Sequence, residues 1–315
     1  MNRPDAKPSV TAIILTMNEE QHLRRALACV MPHCREVIVV DSGSTDGTEA
    51  IVREMGARWV SNPWVNYATQ FNHGVDLAGE ASDWILRLDA DEILDADWFA
   101  RFAALVSHKP GTTGIALRRM MTFRGKPIRF GLARTWQLRL FRAGRGRCEA
   151  RWMDEHIVVD GPVEQLGVQL LDDNLNDLKW WTQKHLGYAD REAVDLLLSE
   201  ERADGSAHSG AMTGQAKVKR WLKDKVYARL PIGLRAVLFF ILRYVFALGF
   251  LDGLRGFQFH VLQGFWYRLY TDIRLDEIRK LRAAENLPLE EAIRRVTGLD
   301  ISPAPALDKE PHNGG

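Results

Sequence analysis

Short apolar runs alternate with polar, amphipathic stretches over the first hundred residues. Val10–Leu15 reads as a strand and Glu19–Val30 as a helix. Glu36–Val40 reads as a second strand ending in the turn Asp41-Ser42-Gly43-Ser44-Thr45-Asp46-Gly47, and Thr48–Met55 as the helix after it. Arg58–Val60 and Trp84–Leu88 continue as strands, with the helix Tyr67–Ala78 between them, and the last strand runs into Asp89-Ala90-Asp91-Glu92. This alternation predicts parallel strands covered by helices, an α/β fold. Polar residues gather at the strand ends, and in open sheets of this class the ligand crevice lies outside the carboxyl ends of the strands.

Beyond residue 110 the pattern loosens. Gly114–Arg118, Trp136–Phe141 and His156–Val159 read as strands, the last before Gly161-Pro162, and Asn176–Glu201 reads as a helix. Ala203–Gly214 is rich in Gly, Ser and Ala and reads as a linker. Lys217, Lys219, Arg220, Lys223, Lys225, Arg229 and Arg235 face the single acid Asp224 and lead into Ala236–Leu251, apolar apart from Arg243. The expected organisation is a flexible N-terminus at 1–9, an α/β domain at 10–170, a helical region at 171–301 and a disordered, proline-rich tail at 302–315.

Composition adds exclusions. The chain of 315 residues is 46% apolar and 26% charged with a net charge of +1, so nothing global points to nucleic acid, and none is expected as a partner. Cys29, Cys34 and Cys148 form no pairing or metal-ligand pattern and suit free thiols in a reducing compartment. Met1–Ser9 is polar with no apolar stretch of signal-peptide type behind it, so a cytoplasmic location is expected.

The sharpest chemical signal is Asp89-Ala90-Asp91 at the end of an apolar strand. Two carboxylates there suit a hard divalent cation held between protein and a diphosphate. An isolated pair of this kind also suits a solvated turn capping the helix expected near Ala96. The companion turns change the balance: Asp41–Asp46 and Thr16-Met17-Asn18-Glu19 also follow apolar strands, so three strand ends offer polar groups to one crevice.

In this order and spacing, Thr11–Glu19, Val37–Gly47 and Trp84–Glu92 resemble glycosyltransferase family 2, closely over roughly residues 10 to 105. The resemblance implies a GT-A, Rossmann-like fold, a nucleoside-diphosphate sugar donor and a Mg²⁺ or Mn²⁺ ion. It places Thr16, Asn18, Glu19 and Ser42 at the nucleotide, with Asp41 accepting a hydrogen bond from the base. Asp89 then lies near the ribose and metal, and Asp91 is the main metal ligand. Tyr67–Gly74 resembles the stretch that approaches the donor, which brings in Gln70 and Asn72, for which a plain helix-surface role is an equal alternative.

Transfer needs a base for the acceptor hydroxyl while the anomeric carbon gains oxocarbenium character. Relatives that build lipopolysaccharide core carry a His-Glu pair at the place of Asp154-Glu155, which implies Glu155. The Asp at 154 leaves the choice between Asp154 and Glu155 open. Trp136 and Trp152 suit either sugar stacking or a core. In the next helix, Trp180, Trp181, Lys184, His185, Tyr188 and Arg191 suit either a phosphate- and lipid-facing surface or a solvated face beside a core stripe.

Ala236–Leu251 falls short of the ~20 apolar residues that a membrane span takes. With the basic cluster before it and Phe257, Phe259, Phe265, Trp266, Tyr267 and Tyr270 after it, the segment suits helices lying on an anionic membrane surface. A core helix and a re-entrant hairpin broken at Gly249 or Gly253 are the alternatives. Gly249–Gly253 resembles the C-terminal extension of family members acting on lipid-linked or lipopolysaccharide acceptors. Together these give an inverting transferase of sugar to a glycolipid or lipopolysaccharide-type acceptor, peripheral on the inner face of the cytoplasmic membrane. An inactive glycosyltransferase-like scaffold and a nucleotidyltransferase are the rival readings.

Overall fold

The structure is a computed structural model that describes residues 7–149, 156–205, 231 and 233–301, with backbone only over 202–205. Its α/β part follows the expected order: β1 (Val10–Thr16), α1 (Leu23–Val30), β2 (Glu36–Asp41), α2 (Thr48–Met55), β3 (Arg58–Ser61), α3 (Tyr67–Ala78) and β4 (Trp84–Asp89). Next come β5 (Glu92–Leu94), α4 (Trp98–His108), β6 (Gly114–Phe123), β7 (Lys126–Pro127) and β8 (Thr135–Arg142), then β9 (Gly146–Cys148), β10 (Ile157–Val159) and β11 (Val163–Asp172). One sheet runs β3-β2-β1-β4-β8-β6-β11-β5, with β7 paired to β6; β9 and β10 form a separate hairpin.

Strands β1 to β4 are mutually parallel, whereas β8 runs antiparallel to both β4 and β6. The chain fills the β3 side first and then crosses back to β4, so the order reverses at β1. The crevice required by that reversal opens at the ends of β1, β2 and β4. Register puts Thr16 beside Asp41 and Leu15 beside Asp89, which brings the three polar strand ends together.

The strands are apolar on both faces because both are covered. Ile14, Val39, Leu86 and Leu88 pack with Leu27 of α1, Val52 of α2, and Trp98 and Phe102 of α4. Ile13, Ile38, Val40 and Ile85 pack with Phe71 and Val75 of α3 and with Cys148 and Ile157 of the hairpin. Helix α3 starts where the Asn66 side chain accepts the Thr69 N–H at 2.8 Å, a sequence-local N-cap.

Three expectations shift. Helix α1 begins at Leu23 rather than Glu19, because Asn18 is left-handed (φ 57°) and the N–H groups of residues 18 to 20 reach across to Ser44, Thr48 and Asp46. Strand β11 continues to Asp172, and α5 (Leu178–Gly205) begins at Leu178 rather than at Asn176. The expected helix near Ala96 begins at Trp98.

The chain divides into two compact units, residues 1–181 with 239–264, and residues 182–238 with 265–315. The division thus runs through the helical region, and segment 239–264 belongs with the sheet. The apolar run is broken into α6 (Leu234–Ile241), a π-helical turn at Leu242–Phe246, a 3₁₀ turn at Gly249–Asp252, α7 (Gly253–Phe259) and a second π-helical turn at His260–Trp266. Within the first unit this hairpin is stitched to the loop after β7. Asp252 accepts the N–H groups of Arg129 and Phe130, Gly131 N–H donates to Ala247, and Arg243 Nε donates to Gly131. Gly131 is required there, since a Cβ would lie 2.1 Å from the buried His260 ring.

The second unit holds most of α5 together with α8 (Tyr267–Glu285) and α9 (Leu289–Thr297). Val194, Leu197, Leu275, Ile278, Leu289 and Ile293 form its core, and ion pairs such as Arg274–Asp190 and Arg279–Glu200 flank it. Helix α5 runs through Ala203–Gly205, the first residues of the expected linker Ala203–Gly214; the rest of that linker, the basic residues from Lys217 to Arg229, Trp152, and the tail from residue 302 lie outside the described residues.

Candidate active site at the strand ends

The β2 turn is built around Asp41, which is buried at the strand terminus. Its Oδ1 accepts the Gly43 and Ser44 N–H groups at 2.8 and 2.7 Å, and its Oδ2 accepts the Thr16 and Ser44 hydroxyls at 2.8 and 2.5 Å. Gly43 makes the turn possible at φ 104°. A carboxylate offers about four lone-pair sites, and all are engaged here. In this conformation a nucleotide base reaches Asp41 only by displacing one of these donors, of which the Ser44 hydroxyl is the most readily rotated.

The β1 loop is tied to the same turn. Asn18 Oδ1 accepts the Thr45 N–H at 2.8 Å, and Glu19 holds His22 Nδ1 at 2.6 Å. Gln70 is fully buried and donates to the Ser42 hydroxyl at 2.6 Å and to the Asn62 carbonyl at 2.9 Å. It therefore sits directly behind the turn. Asn72 instead exchanges two hydrogen bonds of 2.9 Å with the Cys148 backbone, which uses both ends of its amide to hold the β9 hairpin.

The β4 end is electrostatically different. Arg139 Nη2 donates to Asp89 Oδ2 at 3.1 Å and also to Glu92, while Arg87 lies 3.6 Å from Asp89 and Arg119 pairs with Asp172. Partial burial works against ionisation of Asp89, but Arg139 first, then Arg87 and Arg119, outweigh it and hold the carboxyl below the usual range. Burial dominates at Glu92, 1% exposed, and pushes its carboxyl up to about 8 against the pull of Arg139. Burial likewise raises Asp172 to about 6, opposed by Arg119. Charged partners on both sides make this an ionic cluster that any diphosphate approaching the crevice must meet.

Asp91 is oriented by a neighbouring segment. Asn174 Nδ2 donates to Asp91 Oδ2 at 2.9 Å, and Asp173 N–H donates to the Asp91 carbonyl at 2.9 Å. The segment is clamped in turn: Arg25 binds Asp173 Oδ2 at 2.6 Å, Thr122 donates to Asp173 Oδ1 at 2.5 Å, and Leu175 N–H donates to His22 Nε2 at 2.9 Å. Among the described residues no side chain bonds Asp91 Oδ1.

Asp89 and Asp91 are hard oxygen donors in the number that Mg²⁺ and Mn²⁺ sites use when phosphate oxygens and water complete the shell. Among the described residues no cluster of three metal-ligating side chains occurs, so the donor set fits such a partial site rather than a closed protein cage. Thr16, Asn18, Glu19, Asp41, Ser42, Gln70, Asp89 and Asp91 are thus gathered at one crevice or immediately behind it. Asp154 and Glu155 lie outside the described residues. Trp136 is 43% exposed on β8, which rules out a core role.

Arg87, Arg119, Arg139 and His22 are site residues that motif reading passes over, and it singles out Glu92, Asp172, Asp173 and Asn174 without giving them a place in the site. The run from Val163 to Leu171 ending in Asp172-Asp173 was a strand with an acidic end, the same signal that drew attention to Asp41 and Asp89.

Residues 11–153 match the family described as Glycosyl transferase family 2, and this segment is a family 2 glycosyltransferase domain. An uncharacterized glycosyltransferase of Rickettsia felis is 42% identical over 88 residues, covering 28% of this chain and 30% of that one. The lipopolysaccharide core biosynthesis glycosyltransferase LpsC of Rhizobium meliloti is 31% identical over 170 residues, covering 50% of this chain and 60% of that one. The chain thus spans less than two thirds of the length of these relatives. Among solved structures, glucosyl-3-phosphoglycerate synthase of Mycobacterium tuberculosis is similar at 21% identity and a TM-score of 0.33, covering 37% of this chain and 45% of that one.

Proposed function

We propose, from the premise that residues 11–153 are a family 2 glycosyltransferase domain, that this chain moves a sugar from a nucleoside-diphosphate donor, with UDP-sugars favoured, to a cell-envelope glycan, with inversion. The observation that carries the reading is the convergence of Thr16, Asp41 and Asp89 at the reversal point of the sheet, with Asp91 two residues beyond Asp89. The likeness to LpsC over half of this chain supports a lipopolysaccharide-type acceptor.

On this reading the Asp41 turn and the Asn18 loop bind the nucleoside, with Gln70 bracing Ser42 from behind. Asp91 and Asp89 would hold Mg²⁺ or Mn²⁺, which when bound supplies positive charge to a leaving diphosphate. Arg87 and Arg139 keep Asp89 ionised and ready to ligate. Glu155 or Asp154 removes the acceptor hydroxyl proton, and that proton transfer is coupled to attack on the opposite face of the sugar from the leaving group.

A membrane-borne acceptor is supported by the hairpin of the first unit. Phe246 is 75% and Leu254 70% exposed, and Leu242, Val245, Leu251 and Phe257 join them. Apolar patches of this kind mark contact surfaces. No single helix among the described residues is long and apolar enough to cross a membrane, though the bent pair Leu234–Phe246 with Gly249–Glu285 reaches the length and hydropathy together. We therefore assign the hairpin to the surface of the inner leaflet, with the location that this implies.

The test incubates purified protein with UDP-, GDP- and TDP-sugars, with and without Mn²⁺ or Mg²⁺, and follows melting temperature and nucleotide release. One donor is expected to stabilise the chain only when metal is present. Asp91→Ala is expected to lose that stabilisation and to lower turnover by about a thousandfold while melting like the parent. Near-normal turnover by the variant would remove the metal assignment, and indifference to every nucleotide would remove the donor reading.

A further inference from the structure

A cavity of about 530 Å³ opens on the first unit beside the ionic cluster, lined by Met120 and Thr122 of β6, Gln169, Leu171 and Asp173 from β11 and just past its end, and Arg129 and Arg134. Residues two apart on neighbouring strands share a face, which is why these strand positions converge. Asp173 forms one wall and hydrogen-bonds through its N–H to Asp91, so the cavity adjoins the metal motif without being part of the nucleotide crevice.

Two features give the cavity a chemical preference. Its only carboxylate, Asp173, is already held by Arg25 and Thr122. Its two arginines are exposed, and neither has a carboxylate within ion-pairing distance among the described residues. Ten of the eighteen described arginines of this unit differ: Arg24, Arg25, Arg53, Arg58, Arg87, Arg101, Arg119, Arg139, Arg145 and Arg147 all sit in ion pairs. Arg129 is moreover held in place through its backbone, since its N–H is bound by Asp252 at 3.0 Å. Asp252 belongs to the apolar hairpin, so the rim of the cavity and the hydrophobic ridge are one stitched structure.

We propose that this cavity is the acceptor subsite and that it takes a phosphoryl group on the acceptor, gripped by Arg129 and Arg134. The proposal deepens the glycosyl-transfer reading and rests on it for the word acceptor; anion binding by the cavity stands apart from it. Paired guanidinium groups suit a phosphoryl oxygen set through parallel N–H donors. The arrangement places the anionic end of an acceptor beside Asp91 and leaves its apolar part to Phe130, Leu132 and the ridge, all of which are exposed.

The test measures binding without nucleotide, so it survives failure of the donor experiment. The full chain is titrated with inorganic phosphate, followed by melting temperature. It is also sedimented with phosphatidylcholine vesicles containing or lacking about one fifth phosphatidic acid, whose phosphomonoester is the lipid-borne form of the same group. Arg129→Gln/Arg134→Gln is expected to weaken phosphate binding about tenfold or more and to remove the preference for phosphatidic acid. It should retain binding to neutral vesicles.

Arg124→Gln/Lys126→Gln, which removes the same charge outside the cavity, is expected to behave as the parent. Met120→Trp fills the cavity with both arginines intact and is expected to match the double arginine variant. Equal losses from the two charge-removal variants, or phosphate binding undisturbed by the double arginine variant, would overturn the proposal. Response to free phosphate with no preference between vesicles would keep the subsite and assign it to a soluble phosphoryl acceptor.

Discussion

Asp41 and Asp89 stand at the ends of β2 and β4, the parallel strands on either side of β1, and their surroundings are opposite. Asp41 is surrounded by neutral donors from its own turn and from Thr16, four hydrogen bonds in all. Asp89 is surrounded by guanidinium groups, two of which come from strands thirty and fifty residues further on. The first carboxylate builds a rigid turn. The second is kept charged with its acceptor capacity only partly used, which is what a group awaiting a cation or a polar ligand needs. Strand-end position alone therefore does not assign a role; the kind of donor around the carboxylate does.

The largest effect on this contrast is expected at Arg139. Arg139→Leu leaves Glu92 buried without its partner and strips Asp89 of its strongest cation, a loss of about 3–5 kcal/mol for a broken buried pair. The sign with pH follows from Glu92. Its folded pKa is raised above an unfolded value of about 4.3, so its ionisation opposes folding, and the penalty grows as pH rises through that window. Glu92 is raised to about 8 even with Arg139 present, and losing the cation raises it further, so urea unfolding should show a deficit that is nearly constant between pH 5 and pH 7 and grows above about pH 8. A pH-independent deficit would mean that Glu92 is not the group left stranded.

A smaller effect is expected at Asp41. Asp41→Ala orphans the Gly43 and Ser44 N–H groups at the crevice, while the two hydroxyls rotate toward water. A destabilisation of about 2–3 kcal/mol is expected, measured by urea unfolding, together with loss of stabilisation by nucleotide. Asp41→Asn keeps an acceptor for the two N–H groups and should recover most of the stability. If the Asn variant also recovers nucleotide binding in full, the charge of Asp41 contributes nothing to the donor, and the contrast with Asp89 becomes complete.

The Asp41 half was legible in the sequence because every partner lies in the turn itself or at the next strand end. Thr16, Asn18, Ser42 and Ser44 form a local motif, and the register of β1 on β2 aligns the polar residues that end the two apolar runs, Thr16 with Asp41. The Asp89 half was not. Arg87 is next door, but Arg119 and Arg139 reach the cluster only once β6 and β8 have inserted on the far side of β4, antiparallel to it in the case of β8. Nothing in a row of residues says that an arginine on an antiparallel strand faces a particular aspartate. The same holds for Gln70 and Asn72, two residues apart on one helix: one turned toward Ser42 and the other toward Cys148. The apolar run at 236–251 was visible as hydrophobic, but its break into π and 3₁₀ turns follows from tertiary ties to Gly131 that have no local sign.

The finest test concerns Asn174, which bridges the two halves of the acidic cluster by binding Asp91. Asn174 is itself fixed by what surrounds it: its side-chain oxygen accepts the Asn176 N–H at 3.0 Å, and the adjacent Leu175 N–H is bound by His22. Removing the amide leaves Asp91 its charge and its place in the chain but frees the carboxylate to rotate. Partners that orient a metal ligand typically contribute about ten- to a hundredfold in affinity, so Asn174→Ala should weaken Mn²⁺-dependent donor stabilisation toward the lower end of that range. The melting temperature without metal should hardly move, since Asn174 is only partly buried. His22→Asn, acting one step further out, should give a weaker form of the same defect. An Asn174→Ala protein with unaltered metal dependence would show that Asp91 is oriented by its backbone bond to Asp173 alone, and would reduce the 174–176 segment to a strap.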